Sequence, residues 1–244
     1  MSLRRTLFLL PAFTFAASLG AGCSDPMDPD PPAPDPIEYY NSELSASLGA
    51  NGNQARCSTC HSNDGSVAGR SGYSMMDIAY KDSWKGGDAT TLLDAINACV
   101  TGWMGGTALT ADDEGYIMLE TYFQGISNPA NSTPNAITPE VLDDEAAYEA
   151  AYGGGDAAAG EAVYNNSCAV CHDVALVVGT SPALSKVGLA AFTVGRIAQK
   201  VRTSGPPPSG LNDAADLTPG PMPFFEMPEL STQDLANLIA YLKN

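Results

Sequence analysis

The sequence predicts an all-α fold built from two consecutive domains, and three observations support this. Each half of the chain holds one short cysteine-containing motif, and no strand-like alternation surrounds either motif. Apolar residues recur at helical spacing near the end of each half. In the second half these residues are Leu235, Leu238, Ile239 and Leu242. A proline-containing linker, residues 128–139, separates a first domain over residues 38–127 from a second over residues 140–244.

The first 22 residues predict an export signal. Arg4 and Arg5 precede an apolar run that ends near Leu19, which is the layout of a secretory signal peptide. Pro11 and the shortness of the run argue against a permanent membrane span, which needs about 20 apolar residues. We therefore expect the chain to be exported.

The signal ends in a sequence that resembles a bacterial lipoprotein box, LGAGC at residues 19–23, although Leu19 lies one place further from the cysteine than that family prefers. The resemblance implies that Cys23 is lipidated and becomes the mature N-terminus. Simple cleavage nearby, with Cys23 left as a spare thiol, is the alternative. Residues 23–37 are rich in proline and aspartate, which predicts a stiff, solvated tether between the anchor and the first domain. The expected location is the bacterial periplasm or cell surface, on a membrane.

Both histidines of the chain directly follow a Cys-x-x-Cys pair, in CSTCH at residues 57–61 and CAVCH at residues 168–172. In c-type haem attachment, two thiols form thioether links to the haem vinyl groups and the adjacent imidazole binds the iron. We therefore predict two covalently bound haem c groups. The thioether cysteines are Cys57, Cys60, Cys168 and Cys171, and the iron ligands are His61 and His172.

Two other kinds of site use Cys-x-x-Cys pairs. Four thiolates could bind a structural zinc ion, but zinc gives no reason for a histidine after each of two distant pairs. A thioredoxin-like redox pair belongs at a helix start in a βαβ setting, and no such setting is predicted here. Covalent haem explains both motifs better than either alternative.

The second domain is the easier one to interpret. Gly160 and Tyr164 lie on an Ala-rich helical stretch before the motif, and Ser231 is a suitable N-cap for the last helix. A helix at each end with a Gly- and Pro-rich loop between them resembles the class I cytochrome c domain. The resemblance implies that the terminal helices cross, with Gly160 allowing close approach to an aromatic residue near Tyr241.

The same resemblance points to Met222 as the sixth iron ligand in the second domain. Prolines on both sides of Met222 stiffen its loop, which favours it over the competing sulfur of Met227. Four helical residues are expected to cover the haem face, although they would serve equally as plain core. They are Leu189, Phe192, Ile197 and Val201.

The first domain departs from the class I pattern, because Gly49 and Asn53 stand where the second domain has its glycine and tyrosine. Its first helix is therefore expected to be short or irregular. Helical stripes follow the motif, and residues 110–113 are expected to cap a last helix. Met104 precedes that helix, so the same layout makes Met104 the expected sixth ligand. Cys99 is the alternative, since no disulfide partner is left for it.

The histidine count limits the function. Because both histidines are used beside the motifs, neither iron can have a second histidine from the same chain. Methionine opposite histidine raises the reduction potential and suits an electron carrier. We therefore expect electron transfer without bond chemistry. The alternative is a redox enzyme acting on a small sulfur substrate, similar to dihaem thiosulfate dehydrogenases, in which a cysteine such as Cys99 ligates the active haem.

The charge bears on the partners. The formal net charge of −17 argues against nucleic acid as a partner, because nucleic acid is itself a polyanion. The charge suits either solubility or steering toward a redox protein with a basic face. Four basic residues form a local exception, and they either pair with haem propionates or mark a second contact face. They are Lys186, Arg196, Lys200 and Arg202.

Overall fold

The described part of the chain is helical, in agreement with the predicted all-α class. The computed structural model describes residues 33–65, 72, 74–203 and 222–244. The export signal, Cys23 and most of the tether lie outside the described residues, as does the segment 204–221. No helix in the described ranges has the length and apolar character that a membrane span requires.

The helices fall into two sets, one in the first half (residues 38–127) and one in the second half (residues 140–244). The first set is α1 Glu38–Asn41, α2 Glu43–Ser47, α3 Cys57–Cys60, α4 Leu92–Gly102 and α5 Glu114–Gly125. The second set is α6 Glu145–Tyr152, α7 Ala157–Ser167, α8 Ala169–His172, α9 Lys186–Ala190, α10 Val194–Thr203 and α11 Thr232–Lys243. Between α8 and α9, strands β1 Val177–Val178 and β2 Ser181–Pro182 pair as a small antiparallel hairpin.

Helices α7 and α11 cross at Gly160, as the resemblance to the class I cytochrome c domain implies. A Cβ atom at Gly160 would overlap the carbonyl oxygen of Asn237 and lie 2.8 Å from the Cβ of Tyr241. The ring of Tyr164 packs against that of Tyr241 with centroids 5.5 Å apart. The predicted N-cap of α11 is also confirmed, because the Ser231 side chain accepts the N–H of residue 234. The smallest residue therefore stands where the two helix backbones come closest.

The core of the second half lies between this crossing and helices α6 and α10. Leu235, Leu238 and Ile239 of α11 are fully buried, as their helical spacing predicts. Arg202 is buried as well, and its guanidinium donates to the Tyr152 hydroxyl and the Phe225 carbonyl. Arg202 therefore belongs to the core of the second half.

The first half has no long first helix. Its opening consists of the short helices α1 and α2, which confirms the expected irregular start. Helices α4 and α5 supply most of its apolar core. The N-cap of α5 is Asp113, and its carboxylate accepts hydrogen bonds from the backbone N–H and hydroxyl of Thr110. Residues 110–113 thus form a closed turn ahead of the helix.

The linker of residues 128–139 has no regular secondary structure but packs along the first half. The side chain of Asn131 donates to Asp77, and the N–H of Asp82 donates to the carbonyl of Ser132. The carbonyl of Asn135 accepts the N–H of Gly86 at 3.0 Å. Hydrogen bonds of this kind fix the linker in place over much of its length.

The two halves meet at a short junction formed by Asn53 and Gln54 on one side and Val177 and Gly179 on the other. The N–H of Gln54 donates to the carbonyl of Val177 at 2.8 Å, and its side-chain oxygen accepts the N–H of Val177 at 3.0 Å. The Asn53 side chain accepts the N–H of Gly179 at 2.9 Å. These bonds hold the loop that follows the second motif against the segment that precedes the first motif.

Candidate haem-binding sites

The residues predicted to hold haem and iron in the second half line one cavity of about 330 Å³. Cys168, Cys171, His172 and Met222 all line it. They come from helix α8, from the residue just before it, and from the loop before α11. Met227, the competing sulfur, is 45% exposed and accepts a hydrogen bond from Thr232 instead.

The imidazole of His172 is oriented by the backbone. Its Nδ1 lies 2.6 Å from the carbonyl oxygen of Leu184, which can only accept, so Nδ1 carries the hydrogen and Nε2 is the atom that would bind a metal. Burial lowers the pKa of His172, which favours the neutral, metal-binding form. Burial also raises the pKa of Cys168 to about 12.

The rest of the cavity wall is mainly apolar, apart from two cationic side chains. All four residues expected to cover the haem face line it: Leu189, Phe192, Ile197 and Val201. Arg196 and Lys200 line it too, and burial lowers the pKa of Lys200 to about 8. The other two members of the basic segment do not, since Lys186 stacks on the Tyr241 ring at 3.5 Å and Arg202 is in the core.

The first motif is held by helix α3 and by Ser45. The Ser45 hydroxyl accepts the N–H of Cys57 at 3.0 Å and donates to its sulfur at 3.3 Å. Burial raises the pKa of Cys57 to about 11, and the neighbouring Cys99 adds to the rise. Burial and the charge of Lys85 lower the pKa of His61 to about 4, so its imidazole is neutral at pH 7. A Cβ at Gly72 would overlap the His61 ring, so the backbone packs directly on it.

Lys85 is a member of the first site that the sequence analysis missed. Its ammonium lies 3.5 Å from the Cys99 sulfur and 5.0 Å from the centre of the Trp103 ring. The backbone of Lys85 is left-handed, with φ 52°, and φ is also positive at Gly86 and Gly87. The Lys-Gly-Gly sequence is the signal that could have indicated a tight turn here, because glycine adopts positive φ without strain.

The two candidate sixth ligands of the first site lie in different surroundings. Cys99 is on helix α4, beside Lys85 and close enough to Cys57 to affect its pKa. Met104 is 6% exposed, and its carbonyl oxygen accepts the N–H of Ala50 at 2.8 Å. Its backbone also lies near Gly179, at the junction of the two halves.

The residues present fit a covalently bound haem. In the second half, two cysteines, a histidine with an oriented ring and a methionine line the same cavity. The indole nitrogen of Trp103, another lining residue, is buried without a hydrogen-bond partner in the part of the chain that the structure describes. A buried donor of this kind requires an acceptor, and the carboxylates of a haem could supply one.

Residues 155–242 match the family described as cytochrome c oxidase, cbb3-type, subunit III. The match lies within the second half of the chain and supports a c-type cytochrome domain there. Such a domain implies covalently bound haem c, and its class suggests electron transfer. No curated protein is similar enough to the chain to count as a match.

Among solved structures, the chain is similar to the thiosulfate dehydrogenase of Marichromatium purpuratum in its as-isolated form. The two share 17% sequence identity with a TM-score of 0.38, over 90% of this chain and 48% of that one. The chain thus spans about half the length of the solved chain.

Proposed function

We propose that this protein is an exported electron-transfer cytochrome with two covalently bound haem c groups. The observation that carries the proposal is the cavity of the second half, in which Cys168, Cys171, His172 and Met222 meet. The first half supports a second haem through the same motif, with a half-buried, neutral histidine and a cysteine held by Ser45.

The proposed role assigns simple tasks to these side chains. The cysteines hold each haem covalently, and His61 and His172 each supply one iron ligand. Met222 in the second half and Met104 in the first would each supply a thioether sulfur as the second iron ligand, which would favour the ferrous state and a high potential. A haem held by these residues would supply one-electron transfer between a donor and an acceptor, with no bond made or broken.

The haem count is the first test. We expect the intact mass of the purified protein, under denaturing and reducing conditions, to exceed that of the polypeptide by two haem groups, because thioether bonds survive denaturation. Cys168→Ser combined with Cys171→Ser should leave a single haem, held by the first motif. A mass equal to the bare polypeptide would end the proposal.

Met222→Ala should remove methionine ligation at the second haem. We expect one of the methionine-to-iron bands to disappear from the near-infrared spectrum of the oxidised protein, and the potential of that haem to fall. Met227→Ala is the matched control, since Met227 is 45% exposed, and it should leave the spectrum unchanged. The opposite pattern would transfer the ligand role to Met227.

The proposed location is a bacterial membrane surface facing the periplasm or the outside, with Cys23 lipidated. We expect Cys23→Ser to move the protein from the membrane fraction to the soluble fraction, because the acyl chains would be lost. Ser24→Ala is the control and should stay in the membrane fraction. If Cys23→Ser fractionates with membranes like the natural protein, the anchor is not at this residue.

The proposed partners are redox proteins that dock through a basic face, since the chain is strongly acidic. Long-range attraction of this kind weakens as salt screens the charges. Nucleic acid is not a proposed partner.

A redox enzyme acting on a small sulfur substrate is the second candidate. The observation that favours it is the contact of the Cys99 sulfur with the Lys85 ammonium, 3.5 Å apart, beside the first motif. A cation stabilises a neighbouring thiolate, and a thiolate is the form of cysteine that would ligate a haem iron. In this candidate Cys99, in place of Met104, is the sixth ligand of the first haem.

A further inference from the structure

Trp103 contacts both candidate haem sites. It follows the last residue of helix α4, one turn after Cys99, and its N–H donates to the Cys99 carbonyl at 3.0 Å. One face of its ring meets the Lys85 ammonium at 5.0 Å, on the side of the first site. The same residue lines the cavity of the second site together with His172.

The segment around Trp103 is fixed by close backbone contacts. Gly179 follows the second motif with φ 65°, and a Cβ there would lie 3.0 Å from the Trp103 carbonyl oxygen. Gly105 has φ 65° as well, and a Cβ there would lie 3.4 Å from the Gly179 Cα. The two halves therefore touch backbone to backbone beside the indole.

The arrangement places one aromatic ring in the wall of the second site's cavity and against Lys85 of the first site. Electron tunnelling weakens steeply with distance and is faster through packed atoms than across gaps. Lys85, which stacks on the ring and lies near His61, also holds the indole in position.

We propose that Trp103 is the common wall of the two haem sites and the main route for electrons between them. The inference rests on the proposed function, because it requires a haem in each half. In the exchange, the ferrous iron of one site is oxidised and the ferric iron of the other is reduced by the same electron. Trp103 ends the exchange unchanged, since it provides packed atoms along the route and takes no charge of its own.

The test is the rate of electron redistribution between the two haems after flash photoreduction of the oxidised holoprotein. Trp103→Leu should slow it on the order of tenfold, because the smaller side chain leaves a gap in the packed route. Trp103→Phe keeps a ring at the position and should retain most of the rate. Val187→Ala is the control, because Val187 is 82% exposed, and it should behave like the natural protein.

Two further measurements separate the possible causes. Mass analysis of each variant must show two haems, and if the natural protein lacks them the proposed function itself fails. Redox titration gives the potentials of both haems, so that the rate can be compared at equal driving force. A Trp103→Leu protein with two haems and a rate within about twofold of the natural one would overturn the inference. A slower rate fully explained by shifted potentials would overturn it as well.

Discussion

Gly160→Ala should destabilise the second half by about 3 kcal/mol, at the upper end of the usual cost of overpacking. The added methyl group would overlap the Asn237 carbonyl oxygen, which is backbone and cannot rotate away. Helices α7 and α11 would therefore have to separate, and the Tyr164–Tyr241 contact would be lost. Denaturant unfolding of the holoprotein, followed by helical circular dichroism, measures the change.

Gly125→Ala is the matched control for this substitution. Gly125 is also helical, as the last residue of α5, but a Cβ there meets nothing within 4 Å. Alanine should be neutral or stabilise that helix by up to about 1 kcal/mol. If both variants unfold at the same denaturant concentration as the natural protein, the helices do not cross as closely as described.

The sixth ligand of the first haem decides between electron carrier and enzyme, and the proposed carrier requires Met104. Under that proposal, Met104→Ala removes one methionine band from the near-infrared spectrum and changes the paramagnetic resonance of one ferric haem. Cys99→Ala then leaves both spectra as they were, because Cys99 only packs beside Lys85. Thioether ligation favours ferrous iron and thiolate ligation favours ferric iron, so the potential of this haem should also fall in Met104→Ala.

The reverse result would support the second candidate. If Cys99→Ala changes the ligand field and Met104→Ala does not, a thiolate ligates the first haem. Lys85→Gln then provides a further check, since it removes the cation 3.5 Å from the Cys99 sulfur. In that case it should weaken the thiolate signature, whereas under methionine ligation it should leave the ligand bands unchanged.

The parts of the fold that sequence predicts well are those specified by local patterns. The apolar stripe of α11 and its serine N-cap are each readable from a few neighbouring residues, and the α7–α11 crossing at Gly160 follows from the resemblance to the class I cytochrome c domain. The haem motifs are equally local. The short, irregular start of the first half could be predicted from Gly49 and Asn53, although only as a departure from the class I cytochrome c pattern.

Contacts between distant segments could not be predicted in this way. The bonds of Asn53 and Gln54 to residues 177–179 all use backbone groups of that loop, and backbone groups leave no side-chain pattern by which the partner segment could be recognised. Lys85 reaches the first site only because three successive residues adopt positive φ. Its place beside Cys99 depends on that turn and on Asn135 of the linker, far along the chain.

The packed linker, together with the bonds of Asn53 and Gln54 to residues 177–179, makes the spacing between the two sites a property of the folded protein and not of the linker's length. A chain joined by a loose connector would sample many separations, and exchange between its ends would be averaged over them. Here Asn131, Ser132 and Asn135 hold residues 128–139 against the first half. Inserting extra residues into an exposed turn of this segment would therefore lengthen the linker without changing the distance between the two haem sites.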